Sequence, residues 1–218
     1  MCDEYATSYI IPFDQKIVGQ YEFKDCCHLK KLYVPFYVEE IPETNFVDRS
    51  GIFKDMYQIA LTIVGERGTA AEQCAKKAGV LFEVADRIVC GDRLKAYFGK
   101  SSTVDISCDI RTIGYKAFCN APHVKSINIS TSVEYVDSEA FMNTDIEEIF
   151  IPKNVKSISS RTFKNCKRLT CVVFENGHTI FEGDCFDGCK DSLIVKAPAG
   201  GFVEEVITKH TNVKFEKI

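Results

Sequence analysis

The sequence predicts a strand-rich α/β solenoid, in which coils of about 22–23 residues stack on one another and short helices cap the stack. Two observations predict this fold. The phenylalanines Phe118, Phe141, Phe163 and Phe186 follow one another at spacings of 23, 22 and 23 residues. A longer segment that reads as strand, turn, helix and strand occurs twice, once in each half of the chain. A fixed period of this length is typical of repeat proteins.

Each coil carries the same pattern of apolar residues around its phenylalanine. After Phe118 the pattern consists of Val124, Ile127, Ile129, Val133 and Val136. The next coil repeats it as Ile146, Ile149, Ile151, Val155 and Ile158. The first part of the pattern alternates with period two, which predicts a short strand with its apolar side facing inward. The second part predicts the next inward-facing edge of the coil.

The N-terminal part of the chain follows the same period. Phe23 is followed, at a spacing of 23 residues, by Phe46. The apolar positions between them are Leu29, Leu32, Val34, Val38 and Ile41. Phe53 competes with Phe46 as the anchor of this coil. Because a single coil is too thin to bury its own apolar face, we expect stability to come from stacking coils about 4.8 Å apart.

The second kind of repeat matches Leu61–Phe82 with Leu193–Phe215, with one residue inserted. In the first copy, Thr69 and Glu72 have the spacing of a capping box, which predicts the start of a helix. Gly79 suits the C-terminus of that helix. Such a segment would cover the open last coil of a stack, whose unpaired strand edge invites aggregation.

The two cap segments divide the chain into two predicted domains. Residues 1–88 form the first repeat array, with its cap at 61–84. Residues 89–218 form the second array, with its cap at 193–218. Whether the two arrays continue as one superhelix is left open by the sequence.

The coil and the cap together resemble the BspA-like leucine-rich-repeat family. The resemblance is carried by TIGYKAFCNAPHVKSINIS, by SISSRTFKNCKRLTCVVF and by the cap segment LTIVGERGTAAEQCAKKAGVLF, and it covers nearly the whole chain. It implies a right-handed superhelix used for recognition, without a cofactor or a reaction. It also implies relatives that act as surface adhesins toward host matrix proteins or other cells.

Composition narrows the class of protein further. With 218 residues, 45% of them hydrophobic, the chain is too apolar to be disordered, and its net charge of −4 does not favour nucleic-acid binding. No segment approaches the length of a membrane span. The N-terminal segment MCDEYATSYIIPFDQ lacks the features of a signal peptide, which favours the cytoplasm, whereas the resemblance implies the cell surface or secretion.

Two patterns suggest chemistry at first sight. Gly65 and Gly68, between a strand and a helix, resemble a phosphate-binding loop, but the third glycine and a β-α-β context are missing, and Ala197 replaces Gly65 in the second copy. Cys26-Cys27-His28 suggests a nucleophile with a base, but His28 shares its column with Arg168, which is typical of a solvated loop. We therefore expect a cap and a loop, and no enzymatic site.

The chain contains 11 cysteines, an odd number that favours free thiols in a reducing compartment. Cys166, Cys171, Cys185 and Cys189, with His178 nearby, have a superficial likeness to a zinc cluster. However, Cys166 and Cys189 both lie three residues after their phenylalanine, in a column that elsewhere holds Ala121 and Thr144. That column is interpreted as a slot for a small buried side chain.

The same column gives a disulfide hypothesis. Because Cys166 and Cys189 occupy equivalent positions in adjacent coils, we expect their Cα atoms to lie within the roughly 4.4–6.8 Å that a disulfide spans. Proximity alone does not oxidise them, so the free-thiol alternative stays open.

A further column holds short polar residues two positions after the phenylalanine. Its members are Asp25, Asn120, Asn143 and Asn165. Such side chains satisfy neighbouring backbone groups at turns, so we assign them to the fold.

Binding is expected on the outward side of the strands, where residues are not needed for the core. The candidate partner-binding residues are Lys31, Tyr33, Ser126, Asn128, Glu148, Phe150 and Val173. Tyr33, Phe150 and Val173 are apolar at positions predicted to face solvent, as in interface hot spots. Packing against a cap or a second copy of the chain is the alternative for these three.

The sequence thus predicts a non-enzymatic protein-interaction or adhesion module without a cofactor or metal. Its partner is expected to be a protein, such as a host surface or matrix protein, and not a nucleic acid, and no membrane span is expected. The alternative is an intracellular structural or scaffold protein built from the same repeats. The oligomeric state is not indicated by the sequence.

Overall fold

A computed structural model describes residues 6–12, 14–23, 26, 28–46, 61–209 and 213–218. The protein is a strand-rich solenoid with two short α-helices among these residues. Its contacts divide the chain into two compact units. The first comprises Met1–Asp86 and Phe98–Lys100, and the second comprises Arg87–Tyr97 and Ser101–Ile218. Phe98 belongs to the first unit because its amide donates to the carbonyl of Asp86.

The first unit contains a four-stranded parallel sheet. Its strands, in spatial order, are β1 (Ser8–Ile10), β2 (Lys31–Tyr33), β3 (Thr62–Gly65) and β4 (Leu81–Val84). A 3-10 helix spans Glu43–Asn45, and helix α1 (Ala70–Ala78) connects β3 to β4. The inward residues Leu32 and Ile63 are fully buried, which confirms the predicted alternation.

The anchor of the last coil in this unit is Phe46. Its ring stacks on Phe23, with 6.2 Å between the ring centroids, and both rings are buried. Phe53, the competing candidate, lies outside the described residues.

The second unit contains two lines of strands, which are parallel except for β5. The first line comprises β7 (Thr103–Asp105), β9 (Ser126–Asn128), β11 (Glu148–Ile151), β13 (Cys171–Phe174), β15 (Leu193–Ala197) and β16 (Val213–Lys217). The second comprises β5 (Arg87–Cys90), β6 (Arg93–Tyr97), β8 (Thr112–Ile113), β10 (Tyr135–Val136), β12 (Ser157–Ile158) and β14 (Ile180–Phe181). A 3-10 helix spans Gly183–Phe186, and helix α2 (Phe202–Thr208) connects β15 to β16.

The core of the second unit is a column of stacked rings. The centroids of Phe118 and Phe141 lie 5.6 Å apart, those of Phe141 and Phe163 lie 5.5 Å apart, and those of Phe163 and Phe186 lie 5.6 Å apart. All four rings are buried, so the predicted anchors are confirmed. Tyr97 extends the column at 5.2 Å from Phe118, a position that the sequence did not reveal because tyrosine there breaks the phenylalanine spacing.

The asparagine column has a backbone explanation. Asn120, Asn143 and Asn165 all have φ near +60°, a left-handed conformation that asparagine tolerates better than most residues. Their amides donate to carbonyls of the following coil at 2.8–3.0 Å, which adds a third line of hydrogen bonds between coils. Gly188 takes the same place in the last coil with φ +72°, and a Cβ there would lie 2.2 Å from Asn165 Oδ1. Asp25 lies outside the described residues.

The N-terminus of α1 differs from the predicted capping box. The Thr69 hydroxyl donates to the carbonyl of Glu66 at 2.6 Å and does not cap the helix. The Glu72 carboxylate accepts the amide of Gly68 at 2.7 Å, one residue earlier than a capping box requires. Gly79 ends the helix in the left-handed conformation, as predicted.

Both caps are strand–helix–strand units whose strands run parallel. This corrects the view that a β-α-β context is missing from the sequence. The caps also leave β4 and β16 as sheet edges instead of removing the edge. The exposed charges of Lys214, Glu216 and Lys217 on β16 are of the kind that protects an edge from pairing with another chain.

The start of the second unit is a β-hairpin that the sequence analysis missed. Strand β5 pairs antiparallel with β6, and β6 then pairs parallel with β8. Gly91, with φ +61°, forms the turn between them. The hairpin thus caps the second line of strands at its N-terminal end.

Candidate functional site

The outward side of the first strand line in the second unit forms one continuous surface, here called the strand face. Strands β7 and β9 are paired, and strands β11, β13, β15 and β16 are paired. The amide of Glu147 donates to the carbonyl of Lys125 at 3.2 Å and links the two groups. Backbone hydrogen bonds therefore fix the spacing of the outward side chains.

Phe150 is the most prominent residue of the strand face, with half of its surface exposed (50%). Its register partner on the next strand is Val173, which is half-buried. Cys171 and Ile194, which pair with each other, are also half-buried and belong to the neighbouring row. We call Phe150, Cys171, Val173 and Ile194 the apolar patch.

Polar pairs flank the apolar patch along the stack. On the side of the earlier coils, Asn128 Nδ2 donates to Asp105 Oδ1 at 2.7 Å. On the side of the cap, Lys196 Nζ lies 3.0 Å from Glu216 Oε2, and this hydrogen bond raises the pKa of Lys196. An apolar centre with a polar, solvated rim is the usual arrangement of a protein-binding surface.

The structure brings five of the seven predicted binding residues together. Ser126, Asn128, Glu148, Phe150 and Val173 all lie on the strand face. Sequence reasoning missed Ile194 and Lys196, which continue the same rows on β15. The alternation of the apolar residues Leu193, Val195 and Ala197 could have indicated that the residues between them face outward, but the segment was interpreted only as a cap.

Lys31 and Tyr33 belong to the sheet of the first unit, and both have partners within it. Lys31 Nζ lies 2.7 Å from Glu83 Oε2, and this hydrogen bond raises the pKa of Lys31. The Tyr33 ring packs on Phe98, with 5.9 Å between centroids. These contacts support the sheet of the first unit, and the role of both residues in binding stays a prediction.

The sulfur atoms of the cysteine column are hydrogen-bonded to backbone carbonyls. Cys166 Sγ donates to the carbonyl of Phe141, and Cys189 Sγ donates to that of Phe163, both at 3.1 Å. Cys185 Sγ makes the same kind of bond to the carbonyl of Ser159. Burial raises the pKa of Cys185 and of Cys189 to about 12. The pairing of Cys166 with Cys189 stays a prediction, because the register alone does not decide the oxidation state.

Alkylation of the native protein by iodoacetamide at pH 8 is expected to label Cys90 and Cys108, which are exposed, and to leave Cys166 and Cys185 unlabelled. The thiolate is the reactive form, and a raised pKa keeps the thiol protonated below that pKa. Mass spectrometry of the peptides measures the labelling, and denatured, unreduced protein is the control. If Cys166 and Cys189 stay unlabelled after denaturation and become labelled only after reduction, they form a disulfide.

The loop before each cap helix does not have the form of a phosphate site. Glu72 accepts the Gly68 amide, and Glu204 accepts the Gly200 amide, each at 2.7 Å. In each loop a carboxylate of the protein thus already accepts a backbone amide that a bound phosphate would need as its donor. Across the residues that the structure describes, no group of three or more His, Cys, Asp or Glu side chains is placed to hold a metal ion.

Over the same described ranges, no helix has the length and apolar character needed to cross a membrane.

Comparison with solved structures finds leucine-rich-repeat proteins from bacteria. A leucine-rich repeat protein from Eubacterium ventriosum is 17% identical, with a TM-score of 0.43 over 88% of this chain and 66% of its own. A leucine-rich repeat protein from Bacteroides ovatus is 15% identical, with a TM-score of 0.41 over 95% of this chain and 59% of its own. A leucine rich cell surface protein from Faecalibacterium prausnitzii is 18% identical, with a TM-score of 0.35 over 88% of this chain and 55% of its own. The chain thus spans less than two thirds of the length of each.

Comparison with curated proteins gives no match. The model of the BspA type leucine rich repeat region matches residues 2–65 and 95–200 in six copies. These segments contain the repeated phenylalanines, most strands of the two lines and most of the strand face. The chain therefore belongs to the BspA-type leucine-rich-repeat family.

Proposed function

We propose that the chain is a non-enzymatic protein-interaction module of the adhesion type, and that its strand face binds a protein partner through the apolar patch. The observation that carries this proposal is Phe150, a half-exposed aromatic ring on the first strand of a four-stranded parallel sheet. The division into repeat arrays 1–88 and 89–218, each closed by its cap, is part of the proposal.

The sheet suits Phe150 to this role for an entropic reason. Its backbone is held on β11, which pairs with β13 over four residues. A phenylalanine has few side-chain rotamers to lose, so ordering it on binding costs little free energy. Burial of the ring and of Val173 and Ile194 in the same apolar patch removes apolar surface from water, which is the main favourable term in association. The flanking polar pairs would exclude solvent around this centre.

An intracellular scaffold is the second candidate, and the thiols favour it. Cys166 and Cys185 are buried, Cys189 is partly buried, and all three thiols are hydrogen-bonded to backbone carbonyls, as suits thiols in a reducing compartment. The strand face would then bind another component of an assembly instead of a host protein.

Substitution of Phe150 by aspartate is expected to reduce partner binding at least about tenfold, because a charge replaces the ring at the centre of the interface. Binding is measured against immobilised matrix proteins and against cytosolic extract. The matched control is Tyr115→Asp, because Tyr115 is 57% exposed but lies outside the strand face. Circular dichroism establishes that both variants are folded.

Photo-crosslinking identifies the bound surface directly. A photoreactive amino acid replaces the exposed Asn128 on the strand face in one protein and Tyr115 in another. A partner that crosslinks at Asn128 alone, and is lost in the Phe150→Asp protein, supports the proposal. Its origin from matrix or cytosol separates the adhesin from the scaffold. Equal binding by the Phe150 and Tyr115 variants would show that the strand face is not the site.

A further inference from the structure

A second surface of the second unit has a different chemistry. A groove of about 410 Å³ lies between the loops that precede β8, β10 and β12. Three cationic side chains, Arg111, Lys153 and Lys156, line it together with one carboxylate, Glu134. Its volume lies in the range of sites for small ligands, roughly 300–1,000 Å³.

The charges of the groove are arranged in a ladder across three coils. Glu134 lies between the two cations of the adjacent coils: Arg111 Nη1 is 2.7 Å from Oε1, and Lys156 Nζ bonds Oε2. These hydrogen bonds, that from Lys156 above all, lower the pKa of Glu134, so this carboxylate stays ionised at neutral pH and keeps both cations in place.

Lys153 completes the groove, and its backbone amide donates to Glu175 Oε2 at 3.0 Å. Among the residues described, no carboxylate forms an ion pair with its ammonium. Three cations and one carboxylate leave two positive charges in the groove. The local excess therefore favours an anionic ligand, although the whole chain is negative.

Neutral polar groups line the rest of the groove. They are the hydroxyls of Thr131 and Ser132 and the amide of Asn154. Ser132 Oγ donates to the carbonyl of Ile110 at 2.8 Å, and Asn154 Nδ2 donates to the carbonyl of Thr131 at 2.6 Å, so both side chains are held in place. Each of them still has acceptor capacity for a hydroxyl group of a ligand.

We propose that this groove binds an acidic saccharide. Lys153, with Arg111 and Lys156, holds its sulfate or carboxylate group by charge-assisted hydrogen bonds. Thr131, Ser132 and Asn154 bind its ring hydroxyls. A polyhydroxylated anion uses both parts of the lining, whereas a simple inorganic anion would use only the cations. The inference is independent of the strand face and of the partner proposed for it.

Titration with a sulfated disaccharide tests the proposal, with the same disaccharide lacking sulfate and inorganic sulfate as separate probes. Binding is followed by amide chemical shifts of the ¹⁵N-labelled protein at low salt. We expect the sulfated disaccharide to shift the amides of Arg111, Glu134 and Lys156, and to bind more tightly than either other probe.

The variant Lys153→Gln is expected to weaken this binding about tenfold, because it removes a charge-assisted hydrogen bond. Since Lys153 makes no ion pair in the described structure, the variant should keep the native fold. Lys167→Gln is the matched control, an exposed lysine outside the groove. The proposal is overturned if the sulfated disaccharide does not bind, if both variants bind it equally, or if inorganic sulfate binds as tightly.

Discussion

Replacement of Phe141 by alanine is expected to lower the free energy of unfolding by about 3–5 kcal/mol, the range for removing a buried aromatic ring. Phe141 has no exposed surface and stacks between Phe118 and Phe163, at centroid distances of 5.6 and 5.5 Å. A solenoid coil contacts only its neighbours, so the loss at one coil cannot be shared across a wide core.

Urea unfolding followed by circular dichroism measures this effect. The matched control is Phe150→Ala, which removes the same side chain from a half-exposed position of the next strand. We expect the control to change the free energy of unfolding by less than about 1 kcal/mol. Equal losses for the two variants would mean that the ring column does not carry the stability of the second unit.

Replacement of Gly201 by alanine is expected to destabilise the protein by about 2–3 kcal/mol through overpacking at the second cap. A Cβ at this position would lie 2.2 Å from the carbonyl oxygen of Gly177. That carbonyl accepts the amide of Val203 at 3.0 Å, in the first turn of α2. Amides in the first turn of a helix have no partner within the helix. The Gly177 carbonyl supplies this partner for Val203, so moving the two segments apart to make room for a Cβ would break the hydrogen bond.

The neighbouring Gly200 provides the control for the Gly201 variant. Gly200 has φ +79°, but a Cβ there would have no atom within 4 Å. Gly200→Ala is therefore expected to cost only the strain of the left-handed conformation, about 1 kcal/mol. Thermal unfolding ranks the two variants. A larger loss for Gly200→Ala would show that backbone strain, and not the contact with Gly177, decides the sequence of the cap.

The strand face was predictable in part. Period-two alternation placed Phe150 and Val173 outward, and pairing of β11 with β13 makes them neighbours. Alternation alone did not reveal that Tyr33 packs on Phe98, because Phe98 lies far along the chain from β2. Contacts between residues distant in sequence depend on how the chain folds back on itself, and a local pattern of residues does not contain that information.

The groove was not predictable from motifs. Arg111, Glu134 and Lys156 stand 23 and 22 residues apart, so the repeat places them side by side. The sequence showed a column of mixed charge, as a solvated surface also would. Only the packed loops show that Lys153 lines the same groove as these three residues and that hydroxyls line the same space.

The period of 22–23 residues is sufficient to predict the buried phenylalanine column and the inward strand residues, and the second kind of repeat predicts the place of both caps. The reason is physical, since a thin coil can bury its apolar side only by stacking. The tertiary structure alone decided the details that depend on close approach between coils. These are the left-handed conformation of Asn143, the lack of room for a side chain at Gly201, and the hairpin at Gly91 that starts the second stack.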